Sequence, residues 1–173
     1  SRAVHRRKRL MGLPGERTTG YRLVHAEGDG LPGLIADRYG DVVAVQFNSL
    51  GMKLRERVVL DALGELLRPR AIVETVDEEV QKLEGFESRP LPVRGRYEAP
   101  AAFEESGITY AVDPLTSQKT GFYFDQRENR KLLARLVRGQ SVLDLCCYVG
   151  AFGITCARAG AVEVDGVDTS LPA

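Results

Sequence analysis

The sequence predicts two unlike units in tandem: a small α+β unit over residues 1–112, then, over 113–173, the opening of an α/β unit of doubly wound type. Three observations carry this reading. Short β-rich runs separated by Gly-containing turns, with an amphipathic helix among them, fill the first stretch. The run Ser141 to Gly153, SVLDLCCYVGAFG, holds an apolar strand with one acid and then a Gly-bearing turn, before the apolar stretch Ile154–Ala159. A second apolar run, Val162–Val167, ends in Asp168. Strand, turn, helix, and strand with an acid at its tip form the first βαβ of a Rossmann-like cofactor fold.

Residues 1–17 are basic and end in Gly12-Leu13-Pro14-Gly15, which reads as a short helix and a turn. Tyr21–Glu27 is a strand and Gly28–Gly33 a turn cluster. Leu34–Tyr39 and Val42–Phe47 flank Gly40-Asp41, a two-residue hairpin signal. Leu54–Leu67 sets Leu54, Val58, Val59, Ala62, Leu63, Leu66 and Leu67 at helical spacing, and Pro69 stops the helix. Ala71–Val76 is a strand, and Asp77 caps a short acidic helix to about Leu83. Residues 85–101, with Pro90, Pro92, Gly95 and Pro100, read as a loop. Ala102–Glu105 and Ile108–Val112 make a hairpin around Ser106-Gly107. In the second unit Asp125 and Glu128 stand at N-cap and N3 of a helix to about Val137, a capping-box arrangement, and Gly139 closes it.

With 24 Lys and Arg against 24 Asp and Glu, the chain offers no global basic field. The charge is unevenly spread: Arg2, Arg6, Arg7, Lys8 and Arg9 gather with His5 at the start. Two readings stand for that run, a contact to RNA phosphates or a solvated helix face. No apolar run is long enough for a transmembrane helix, so no membrane is expected. Three Cys, two of them adjacent, make neither a disulfide framework nor a zinc site; a reducing cytoplasm is the simple reading and no metal is expected.

The turn after the first cofactor strand decides among cofactors. The dinucleotide fingerprint asks for G-x-G-x-x-G, and here only Gly150 and Gly153 are present, with Tyr148 where the first Gly would stand. A pyrophosphate would be poorly cradled. S-adenosylmethionine carries an ammonium, a sulfonium, two ribose hydroxyls and no phosphate, and fits better. Asp168 is placed to accept the ribose hydroxyls, with an N-cap as its structural alternative. Asp144 either orients the methionine ammonium or braces loop N–H groups. Tyr148 and Gly150 shape the loop against the ligand.

At these residues the chain resembles a known family. Tyr21-Arg22-Leu23-Val24-His25, then Asp29-Gly30-Leu31-Pro32-Gly33-Leu34-Ile35 and Asp37-Arg38-Tyr39, are similar to the central domain of bacterial large-subunit rRNA cytosine carbon-5 methyltransferases. Gln118-Lys119-Thr120-Gly121-Phe122-Tyr123, with Asp125-Gln126-Arg127 and Asn129-Arg130, resembles the motif that precedes that family's methyltransferase domain. Val142-Leu143-Asp144-Leu145, Cys147-Tyr148 and Gly150 with Phe152 resemble its cofactor motif. The resemblance runs from about Tyr21 to Ser170. It implies an α+β central domain followed by the start of a class I methyltransferase domain, S-adenosylmethionine as cofactor and large-subunit rRNA as partner. It also implies that Lys119, Thr120, Phe122, Asp125 and Arg127 form a second wall of the site; for Asp125 the capping role alone is a sufficient alternative. The family's sequence order places an RNA-binding PUA domain first. Glu74-Thr75-Val76-Asp77 departs from the family's Arg-Ser-Asp-like run, and Cys146 replaces a common Phe.

Methylating carbon-5 of cytosine needs a thiolate that attacks carbon-6. Cys146 and Cys147 sit in the cofactor strand and its turn, where small buried hydrophobes explain them, and Cys156 reads as core. No catalytic nucleophile is assigned. The family's Asp-Pro-Pro-type loop and downstream Cys have no counterpart here, so the isolated chain is expected to be inactive. A sheet of two strands exposes apolar surface and an unpaired edge, which predicts a homo-oligomer, with segment exchange as one route. Two other classes compete: a non-catalytic RNA-binding or assembly module built on the basic run, and an NAD-dependent Rossmann enzyme. Salt-dependent RNA binding without cofactor affinity marks the first, and NAD binding the second.

Overall fold

A computed structural model shows two compact units, Ser1–Gly121 and Phe122–Ala173, and describes residues 2–117 and 120–170. The first unit is built on a five-stranded sheet: β1 (Gly20–His25), β2 (Leu34–Tyr39), β3 (Val42–Phe47), β4 (Ala71–Thr75) and β5 (Leu91–Gly95), in that spatial order. The first three strands run antiparallel, and β2 turns into β3 through Gly40-Asp41 with Tyr39 opposite Val42. β4 is parallel to β3, as the helical crossover between them requires. VVAVQF and AIVET lack polar alternation, and every residue of both strands is buried, the pattern of strands covered on both faces.

The helix α1 (Arg2–Met11) buries Ala3 and Arg7 in this unit. Arg7 Nε donates to the carbonyl of Arg22 in β1 at 2.8 Å, while its two terminal nitrogens donate to the Asp29 carboxylate at 2.9 and 2.6 Å. The expected strand through Glu27 stops at His25, because Ala26–Asp29 winds into a 3-10 turn that carries Asp29 back to Arg7. The helix expected from Leu54 begins at Glu56, as α3 (Glu56–Leu67), and a short helix that the sequence does not announce, α2 (Leu50–Lys53), precedes it, capped by Ser49 Oγ at 3.2 Å from Met52 N. Leu60 and Leu63 of α3 join Leu23, Val43, Val45 and Ile72 in the core. Asp77 caps α4 (Glu78–Glu84) as its position predicts, accepting from the N–H groups of Glu79 and Val80.

The loop expected over 85–101 contains β5, which pairs antiparallel with β4. The prolines concealed it. Pro lacks an amide hydrogen and is tolerated only at an edge or a bulge, and Pro92 stands on the outermost strand beside a register shift. The hairpin β6 (Ala101–Glu105) and β7 (Ile108–Val112) forms where expected. Phe103 of β6 meets Tyr39 edge-on at 5.2 Å and stacks on Tyr110 at 5.6 Å, so closely over β1 that a side chain at Gly20 would overlap its ring. Asp113–Ser117 and Thr120-Gly121, assigned by sequence to the second unit, belong to the first: Tyr97 OH donates to Asp113 at 2.7 Å and Tyr39 OH to the carbonyl of Thr120 at 2.7 Å.

The second unit contains a 3-10 turn (Phe124–Gln126), α5 (Arg127–Ala134), β8 (Ser141–Leu145), α6 (Ala151–Arg158) and β9 (Glu163–Val167). β8 and β9 pair in parallel, Asp144 opposite Gly166 and Leu145 opposite Val167, the βαβ read from the sequence. The capping box does not form. Asp125 lies inside the 3-10 turn and accepts from the Gln126 side chain at 3.1 Å; Gln126 takes the N-cap position without a side-chain cap, and Glu128 pairs with Lys131. The extra 3-10 turn moves the N-cap by one residue, from Asp125 to Gln126, and so takes the Asp125 side chain out of the capping position.

Candidate cofactor site on the β8–α6 loop

The loop from Cys146 to Gly150 is bent by three left-handed residues, Cys146 (φ 59°), Tyr148 (φ 50°) and Gly150 (φ 68°). Only Gly adopts this conformation without steric cost; at Cys146 and Tyr148 the fold must hold it. Asp168 does much of that holding. Its Oδ2 accepts from the backbone N–H of Tyr148 at 2.8 Å, and its Oδ1 accepts from Ser170 N at 2.7 Å. Further backbone ties, Cys147 N to the Val167 carbonyl and Gly150 N to the Cys147 carbonyl, complete the turn.

Those N–H groups fix the electrostatics of Asp168. The hydrogen bond from Ser170 and then that from Tyr148 hold its carboxyl below the usual carboxylate range, so it is ionised at neutral pH. A carboxylate presents about four acceptor sites, and the backbone donors Ser170, Tyr148 and Thr169 leave some acceptor capacity on a solvent-facing group at the tip of a strand. A pair of adjacent hydroxyls is a matching donor set.

Asp144 has a different task. Its Oδ2 accepts from Gly153 N at 2.9 Å, which fastens the first turn of α6 to β8. Of the two roles open to it from the sequence, the structure displays the brace. A Cβ at Gly153 would stand 3.1 Å from Val164 Cγ1 and 3.3 Å from Asp144 Oδ2, so the missing side chain permits this close helix–strand approach.

The preceding motif builds an aromatic and cationic cluster in the same unit. Arg130, buried, lies with its guanidinium 4.8 Å from the Phe122 ring and 5.7 Å from that of Phe152, and donates to the carbonyl of Tyr123 at 3.2 Å. Phe122 and Phe124 are buried and 5.1 Å apart, whereas Tyr123 is 43% exposed and meets Tyr148 edge-on at 5.8 Å. Of the three adjacent aromatics, two are therefore core and one faces solvent beside the loop.

The expected site residues thus separate. Asp144, Tyr148, Gly150 and Asp168 converge on the β8–α6 loop. Phe122 and Arg127 are buried in the packing of the second unit, and Asp125 is exposed on its 3-10 turn. Thr120 lies in the first unit, buried, with its hydroxyl donating to Asp37 Oδ2 at 2.5 Å. Lys119 falls outside the described residues. Cys146 is exposed and Cys147 half-buried, a correction to the buried reading, because the outer face of a two-stranded sheet has no covering layer; Cys156 is core as expected.

Two polar networks escaped the sequence reading. Arg22 Nε and Nη2 each donate at 2.9 Å to the fully buried Asp37, its cross-strand partner, and Asp37 also receives Thr120. Lys53 Nζ donates to both oxygens of buried Glu74 at 2.7 and 2.9 Å, and Ser88 Oγ adds a third bond at 2.6 Å. The departure at Glu74 therefore has a local partner. An acid and a base at facing strand positions, Arg22 and Asp37, are the signal that register counting would have exposed.

No protein-family model matches the chain. Over 153 residues, 88% of the chain, it is 43% identical to the ribosomal RNA large subunit methyltransferase I of Shewanella denitrificans. The match spans 38% of that relative's length. Among solved structures, a protein assigned as a methyltransferase and complexed with SAH superposes on 98% of the chain with TM-score 0.80 and 26% identity, covering 42% of its own length. A protein assigned as a SAM-dependent methyltransferase from Streptococcus mutans gives the same score and identity, with 43% of its length covered. The fold is an α+β unit followed by the start of a Rossmann-like unit of the class I methyltransferase kind.

Proposed function

We propose that this chain is the central unit and the first cofactor-binding βαβ of an S-adenosylmethionine-dependent methyltransferase acting on large-subunit rRNA, with a cytosine as its base. One observation carries the reading: Asp168, ionised, strand-terminal and solvent-facing, bonded to the N–H of Tyr148 in the turn that begins α6. That arrangement suits a ribose diol. The absence of a first glycine, with left-handed Tyr148 in its place, disfavours a pyrophosphate. The similarity to the Shewanella denitrificans enzyme supports rRNA as substrate and the SAH complex of the structural relative supports the cofactor. When bound, the cofactor supplies an electrophilic methyl group. Asp168 holds its ribose, Asp144 keeps α6 seated on β8, and Tyr148 and Gly150 give the loop its shape. Phe122, Asp125 and Arg127, which belong to the same unit as the loop, support the site by positioning the segment before α5.

Three free thiols suit a reducing cytoplasm. Among the described residues no helix is long and apolar enough to cross a membrane. Leu143, Leu145 and Val167, each more than half exposed on adjacent strands, support self-association of the chain. Parallel titrations with S-adenosylhomocysteine and NAD test the functional reading. Binding of the first without the second supports it; binding of NAD alone contradicts it.

A further inference from the structure

The charge of this protein is divided in a way its zero total conceals. With Arg2, Arg6, Arg7, Lys8 and Arg9 set aside, the rest of the chain carries 19 Lys and Arg against 24 Asp and Glu. Residues 1–11 contain no acid, so α1 is a cationic helix on an otherwise acidic chain.

The structure separates these cations by task. Arg7 is buried and committed to Asp29 and the Arg22 carbonyl; Arg6 also reaches Asp29 and the Gly28 carbonyl from a half-exposed position. Arg2, His5, Lys8 and Arg9 are exposed, and among the described residues they make no hydrogen bond or ion pair. Positions 2, 5, 6 and 9 recur at helical spacing and form one stripe. With Leu10, these side chains surround a single shallow depression on the solvent side of the helix. A helix rises about 1.5 Å per residue, so Arg2 and Arg9 stand roughly 10 Å apart along the axis. Their long stems let two guanidiniums reach separate phosphates of one strand.

A solvated helix ordinarily interleaves acids with its bases, through i,i+4 pairs that stabilise it. Here α1 contains no acid, only Arg6 of the stripe is paired among the described residues, to Asp29, and the helix is held in place by Ala3 and by the Arg7–Asp29 pair. The retained repulsion favours an anionic partner. We infer that the Arg2–His5–Arg9 face of α1 is a docking surface for the phosphate backbone of RNA, read without regard to base sequence. This rests on the rRNA substrate proposed above and assigns that substrate a contact outside the cofactor site.

Fluorescence anisotropy of a fluorescein-labelled 20-nucleotide oligouridine tests it, with the chain as titrant across a salt series. Each cation that neutralises a single-strand phosphate adds about 0.7 to the slope of log affinity against log salt. Arg2→Gln/Arg9→Gln should therefore flatten the slope by about 1.4, and the fall in affinity between about 50 and 200 mM salt should become roughly sevenfold smaller. Arg57→Gln/Arg89→Gln, which removes two exposed cations outside α1, should leave the slope nearly unchanged. Equal flattening by both pairs would reduce the effect to diffuse charge and overturn the inference. So would an unchanged slope in the α1 variant, no RNA binding by the chain, or displacement of the RNA by polyglutamate at matched charge, which would point to an acidic protein. Far-ultraviolet circular dichroism of both variants verifies folding. Titration of the α1 variant with S-adenosylhomocysteine keeps the two readings separate: unaltered cofactor binding with altered RNA binding is expected, and lost cofactor binding in wild type would strike the methyltransferase reading alone.

Discussion

Replacing Thr120 by Val removes one hydroxyl and keeps the shape of the side chain, which makes it a sharp probe of the network that fastens the Thr120-Gly121 segment to the first unit. Thr120 Oγ1 donates to Asp37 Oδ2 at 2.5 Å, both side chains are buried, and the same carboxylate receives two bonds from Arg22 at 2.9 Å. A hydrogen bond to a buried charged group contributes about 1.5–3 kcal/mol. Oδ2 keeps its bond from Arg22 in the variant, so the loss falls in the lower part of that range, about 2 kcal/mol. At about 4 °C per kcal/mol the melting midpoint falls by roughly 8 °C. Thr120→Ser retains the hydroxyl and deletes a methyl group, which is worth about 0.8 kcal/mol, or roughly 3 °C. Thermal unfolding followed by circular dichroism at neutral pH reads both. A Val variant that melts within about 2 °C of wild type, or a Ser variant less stable than the Val variant, would exclude this role for the hydroxyl.

Asp29 provides a pH-dependent counterpart. Burial pushes its carboxyl up, but the Arg7 hydrogen bonds, the His25 N–H and the charges of Arg7 and Arg6 outweigh burial and hold it below its usual range. Its stabilisation is therefore complete above the unfolded value near about pH 4 and is lost as pH falls through the lower folded value. Asp29→Asn should reduce stability at pH 7 and flatten the acid limb of a stability–pH curve; an unchanged limb would dismiss the pair as its source. Tyr39→Phe leaves the buried Thr120 carbonyl without the bond at 2.7 Å and should cost about 1 kcal/mol in urea denaturation, whereas no measurable loss would show that other groups satisfy that carbonyl. Light scattering at micromolar concentration should report a mass above that of one chain, given the exposed Leu143, Leu145 and Val167, and a clean monomer contradicts that use of the face.

Much of this fold was legible because local rules and global packing agree. The alternation-free runs of β3 and β4, the Gly40-Asp41 turn, the Asp77 cap and the β8–α6–β9 unit all read directly. β5 did not, since Pro92 within it and Pro90 just before it argue against a strand unless its edge position is known, and that position is a tertiary fact. Asp125 failed as a cap because local sequence does not distinguish a helix start from a 3-10 turn leading into one. The β8–α6 loop was legible in composition, yet its hydrogen bonds were not. The sequence points Asp168 toward a ligand, and what the structure shows is its bond to the N–H of left-handed Tyr148. Arg22–Asp37–Thr120 joins residues 15 and 83 positions apart, a distance over which no periodicity speaks.

We propose that the β8–α6 loop with Asp168 forms a cofactor half-site. Calorimetric titration of the chain and of Asp168→Ala with S-adenosylhomocysteine tests it most directly. Wild type should bind measurably, with a dissociation constant raised at least about tenfold by the substitution. Equal binding by both proteins would contradict it.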